Sequence, residues 1–166
     1  MGISIEDWGN FGAVAGSASG ALVGLLFVAI SLNRDRIARH PALRASAAQT
    51  LMVLMLPLII ALLLLTPHQP SRVLGIEITA LGVIHGLGLA IVGRRKREAG
   101  GELNSRLARV LDVTTPNLLT TVFVLAAGAG VIAGYTNGLY WLVPAVVVAL
   151  IIGVLNAWLF LIRDPE

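Results

Sequence analysis

The sequence predicts an all-α, polytopic membrane protein of five transmembrane helices, with its N-terminus outside the cytoplasm and its C-terminus inside. Three observations carry that prediction. Of the 166 residues, 57% are apolar and 13% are charged, and the mean hydropathy is +0.87, a composition outside the soluble globular class. Four stretches are long and apolar enough to cross a hydrocarbon layer of about 30 Å, and the last is far too long for one crossing. The basic residues then divide eleven to one between the two sides that five spans define.

The first span covers residues 11–32. The segment before it is acidic, with Glu6 and Asp7, where a cleavable signal peptide needs basic residues, so the span is expected to be retained. The second covers 46–66, with Ser46 as its N-cap and Pro57 near its middle, where a missing N–H is expected to kink the helix. The third covers 73–92. The apolar run from 117 to 162 must fold back, because a single helix of that length would extend to more than twice the membrane thickness. Asn137-Gly138, flanked by Tyr135, Tyr140 and Trp141, marks the reversal at a headgroup boundary and yields spans over 117–135 and 139–162. Thr115-Pro116 supplies a cap and an N1 proline for the fourth helix. Between 102 and 112, Leu103, Leu107, Val110 and Leu111 recur at helical spacing opposite Arg106 and Arg109, which reads as a short amphipathic helix on the inner leaflet or on the bundle.

Orientation follows from the short loops. Five spans place Arg34, Arg36, Arg39, Arg44, Arg94, Arg95, Lys96, Arg97, Arg106, Arg109 and Arg163 on one side and Arg72 alone on the other. Basic loops are retained in the cytoplasm, which makes this a multi-pass protein of a cytoplasmic membrane. Eleven arginines against one lysine fit a GC-rich bacterial genome. The polar chain outside the spans is too short for a second domain, so residues 1–166 form a single membrane domain.

Several chemistries are excluded or unsupported. Without cysteine there is no disulfide, thiolate nucleophile or thiolate metal site. Three scattered histidines and no His-Glu-x-x-His argue against a metal centre, and no cofactor motif is present. Gly16-Ser17-Ala18-Ser19-Gly20 has the outline of a nucleophile motif, but Ala18 stands where serine is required. A Ser19–His85 pair is the weakest of the readings, and no enzyme is expected.

What remains is packing and ionisable groups. Gly12, Gly16, Gly20 and Gly24 recur every four residues, with Ala13, Ser17 and Ala21 widening the same small face. In lipid, where helices associate by close packing, such a face must meet another helix. It reads either as the seam of a homo-oligomer or as packing within one chain; Gly82 and Gly86 repeat the spacing in the third span. Glu77 is the one carboxylate inside a span, and His85 lies eight residues deeper, about 80° around the helix. An ionisable group at such depth is costly unless paired or hydrated, so the two read as a proton or cation pathway, or as interhelical hydrogen bonds. Asn156, with Gln49, Thr50, Ser31 and Asn33 at a similar depth, lines an inner vestibule in the functional reading and bonds helix ends in the structural one. Arg94, Arg95, Lys96 and Arg97 anchor the topology and contact anionic lipid headgroups; nucleic acid is not an expected partner. Together these residues predict a small homo-oligomeric channel or carrier for protons, cations or a small polar solute. The alternative is a non-catalytic subunit or scaffold that binds another membrane protein.

Overall fold

The computed structural model describes residues 8–98 and 114–162, and every regular element among them is helical. Helix α1 is Gly9–Leu32, α2 is Arg34–Arg39, α3 is Pro41–Leu64, α4 is Ser71–Glu98, α5 is Thr114–Ile132 and α6 is Leu142–Ile162, with a 3₁₀ helix over Thr136–Trp141. Four of them are long and apolar enough to cross a membrane: Gly9–Leu32, Leu43–Leu64, Ser71–Arg94 and Asn137–Trp158, the last including the 3₁₀ turn. Asn117–Ile132 is a shorter apolar helix. The interfacial helix expected over 102–112 lies outside the described residues, as do Arg163 and the side chains of Arg95, Lys96 and Arg97.

Helices α3, α4, α5 and α6 pack each on the next around a ring, and α1 lies outside it against α3 and α6. One end of the bundle holds Trp8, the 65–70 loop and the 3₁₀ turn, where Trp8 meets Phe11 and Tyr140 edge-on at 5.5 and 5.2 Å. The other end holds α2, the start of α3 and the end of α4, and with them Arg34, Arg36, Arg39, Arg44 and Arg94. The ring's core is apolar and tight toward the aromatic end, where Leu56, Ile60, Leu74, Ile78, Val124 and Leu142 are buried.

Local chemistry explains several boundaries. α3 starts at Pro41, ahead of Ser46, because proline at the first helical position gives up an N–H that has no partner there anyway. α5 ends in a Schellman motif: Tyr135 N–H donates to Gly130 O (2.9 Å), Gly134 N–H donates to Val131 O (3.0 Å), and Gly134 takes φ +87°. The reversal expected at Asn137-Gly138 therefore begins at Gly134. Gly138 is instead buried within the 3₁₀ helix, where an added Cβ would lie 3.0 Å from the Gly130 backbone.

Pro57 removes the N–H that would satisfy Val53 O and disturbs the carbonyls of that turn. The Ser19 hydroxyl of α1, fully buried, donates to Leu54 O in the same turn, so a polar residue of the outer helix hydrogen-bonds α3 where the proline weakens it. Leu54 also seats on Gly153 of α6, where an added Cβ would fall 2.7 Å from Leu54 Cγ. Ser19, Leu54 and Gly153 thus fix the crossing of α1, α3 and α6.

Candidate functional site

Polar side chains on apolar helices need internal partners where water is absent, and several here find one within their own helix. Ser31 donates to Phe27 O, Asn33 to Ala29 O, Thr50 to Ser46 O and Thr66 to Leu62 O, each four residues back. Ser31 and Asn33 sit at the end of α1, whereas Thr50 lies well inside α3. Asn156 is partly buried on α6 and does not reach the cavity described below.

The exceptions gather toward the basic end of the ring. Small residues on α4, Gly86, Ala90 and Gly93, fall at i, i+4 and i+7 and leave one face of that helix without bulk. Opposite them α5 presents Asn117, Leu118 and Thr121, and α3 contributes Gln49. The result is a cavity of about 290 Å³ whose polar lining is Gln49, Asn117 and Thr121, with Leu89 as an apolar wall and Arg94 toward the end of α4. That volume sits close to the lower bound of about 300 Å³ for small-molecule sites.

Asn117 is 2% exposed, yet among the described residues neither its Nδ2 nor its Oδ1 has a hydrogen-bond partner. Burying an amide without partners is unfavourable by roughly 1–3 kcal/mol on mutational scales. Thr121, one turn on, is satisfied: its hydroxyl donates to Asn117 O at 3.0 Å. With that proton committed, Thr121 Oγ1 accepts from His85 Nδ1 at 3.3 Å. Among the described residues His85 Nε2 is likewise buried without a partner. From the cavity inward, then, the groups run Asn117, Thr121, His85. Beyond His85 the apolar core closes the ring.

Glu77 and His85, the ionisable residues of the third span, are not brought together. Glu77 accepts a hydrogen bond from Gln69 Nε2 in the 65–70 loop at the aromatic end, while His85 bonds α5 about 12 Å further along the helix. Ser19 faces α3 and His85 faces α5, so they form no nucleophile–base pair. Among the described residues no group of three or more His, Asp or Glu could hold a metal ion.

The glycine face of α1 divides. A Cβ at Gly12 would lie 3.2 Å from Leu64 Cβ and one at Gly16 2.8 Å from Ala61 Cβ, so both pack on α3. Gly20 and Gly24 meet nothing within 4 Å, and Ala13, Ser17 and Ala21 beside them are exposed. Gly82 and Gly86 pack within the chain, against Leu125, Val124 and Thr121 of α5. Arg94 is exposed beside the cavity. Asn117 and Thr121 were not among the residues the sequence singled out; their i, i+4 spacing, facing the small residues of α4, is the signal that carries them.

No known protein family, characterised protein or solved structure matches this chain.

Proposed function

We propose that the chain is a five-span carrier for a small polar solute in the cytoplasmic membrane, with its solute site in the cavity between α3, α4 and α5. The observation that carries this reading is the Asn117 amide, buried at the cavity with donor and acceptor both unpaired. A solute offering one acceptor and one donor completes it. The span that completes the five is α5, the fourth in chain order: its 19 residues rise about 28 Å at 1.5 Å each, close to the hydrocarbon thickness. It returns the chain to the end where Trp8 meets Tyr140. The basic end faces the cytoplasm by the charge rule, so the cavity belongs to an inward-facing state. Release on the outer side requires α4 and α5 to shift past one another, toward Glu77.

Gly93→Leu tests the site. Nothing lies within 4 Å of a Cβ at Gly93, so leucine fills the cavity without a backbone clash. Counterflow or efflux of a panel of small polar solutes from proteoliposomes is expected to fall at least about tenfold for the transported one, with helicity and thermal midpoint retained. Flux undiminished in Gly93→Leu places the path elsewhere.

A homo-oligomer remains part of the proposal, with its seam reduced to Gly20 and Gly24, the half of the stripe that the chain leaves uncovered. The same uncovered face favours a second reading, a subunit that receives a helix of another membrane protein. Gly20→Leu separates them, since it disturbs no contact within the chain. In nanodiscs the variant is expected to run at monomer mass where the wild type runs as a homo-oligomer. A wild-type particle that carries a stoichiometric foreign chain, lost in the variant, establishes the scaffold instead.

A further inference from the structure

Resting on the carrier reading, we propose that the cavity binds an anionic solute, with a carboxylate or phosphate group at Arg94 and a hydroxyl or amide group at Asn117. The two ends of the cavity differ in kind. Its enclosed part offers neutral hydrogen-bonding groups: the Asn117 amide, 2% exposed and with no partner for either polar atom among the described residues, and the Gln49 amide. Its far end carries a guanidinium, a planar donor fork suited to carboxylate and phosphate oxygens. Leu89 and Leu118 form the sides, so the ligand fits best with a short carbon frame between a charged end and a hydrogen-bonding end. A cation is disfavoured, since among the described residues the only charge lining the cavity is positive. A neutral polyol would satisfy Asn117 and leave Arg94 without a role.

The same chemistry belongs to a free organic anion and to the headgroup of an anionic phospholipid, because Arg94 stands near the level where α4 leaves the membrane. One experiment covers both sources. Protein with ¹⁵N-labelled asparagine is placed in phosphatidylcholine nanodiscs and titrated with glycerol 3-phosphate or with glycerol. In parallel it is placed in nanodiscs that contain phosphatidylglycerol and no free anion. The Asn117 side-chain amide resonance is followed, assigned by its absence in Asn117→Leu.

Glycerol 3-phosphate is expected to move that resonance saturably, Arg94→Gln to weaken its binding at least about tenfold, and glycerol to act equally weakly on both proteins. If phosphatidylglycerol alone saturates the shift and free glycerol 3-phosphate adds nothing, the ligand is the lipid headgroup. The proposal is overturned if neither anion moves the Asn117 resonance, or if Arg94→Gln responds as the wild type does. The carrier reading fails separately. Anion binding at Asn117 with no flux of any solute removes transport and keeps the site, whereas flux of a neutral solute that Gly93→Leu blocks, with no anion effect, keeps transport and removes the anion.

Discussion

Gly128→Val is expected to lose the native bundle altogether. Among the described residues helices α4 and α5 share the most extensive helix contact, and Gly128 sits where their backbones come close. A Cβ there would lie 2.8 Å from Thr79 N and 2.9 Å from Gly75 O, and it would also strike the Thr79 hydroxyl, which donates to Gly75 O at 2.8 Å. Two of those three are backbone atoms, so no rotamer change relieves the contact. The helices must separate, and separation undoes the packing of Gly75 on Ile132 and of Gly82 on Leu125 as well. In lipid there is little hydrophobic force to hold helices that no longer fit, so the loss is not recovered elsewhere. Overpacking typically destabilises by about 1–3 kcal/mol when side chains can yield, and this case exceeds that because backbone must move. Thermal unfolding in detergent reads it, with Gly20→Leu as the reference, since position 20 is open and its effect on the isolated chain is within about 0.5 kcal/mol. A Gly128→Val protein with a wild-type midpoint would mean that α4 and α5 do not touch as described.

The helical architecture was legible because lipid leaves few options. Backbone groups in hydrocarbon must pair within the segment, so an apolar run of sufficient length is a helix, and the doubled run after Asn117 had to turn. The place of the turn was less legible. Asn137-Gly138 is the stronger local signal, but the left-handed residue is Gly134, chosen because the end of α5 needs its carbonyls capped by a Schellman motif. The α1 glycines show the limit of spacing as information: a four-residue repeat defines a face and not its partner. Gly12 and Gly16 found Ala61 and Leu64 only because α3 lies over that half of the helix.

The site was harder to read for the same reason. Glu77 and His85 stood out as ionisable groups within a span, and each turned out to have a partner, Gln69 for one and Thr121 for the other. Asn117 looked like the polar start of a span, a place where water or headgroups ordinarily satisfy an amide. It is buried there because α4 and α3 extend past it, with Gly86 and Gly93 leaving the space. Whether a polar residue near a helix end is wet or dry depends on the length of its neighbours, which no local pattern in α5 encodes.

Asn117 and Thr121 therefore predict opposite responses to substitutions that look alike. Asn117→Leu keeps the approximate volume and removes two unpaired polar atoms, so it is expected to stabilise the protein by about 1–3 kcal/mol, the usual penalty of leaving such atoms buried. Thr121→Val also keeps the volume, but it removes a hydroxyl that donates to Asn117 O and accepts from His85 Nδ1, leaving the imidazole unpaired at both nitrogens. It is expected to destabilise by about 1–3 kcal/mol. Solute flux is expected to fall to background in Asn117→Leu despite the gain in stability, because the group that recognises solute is gone. Stability that rises while function falls marks a residue kept for binding, and equilibrium unfolding alongside flux in the same nanodisc and liposome preparations measures both. If Asn117→Leu instead lowers stability, the amide has a structural partner, and the case for a solute at that position goes with it.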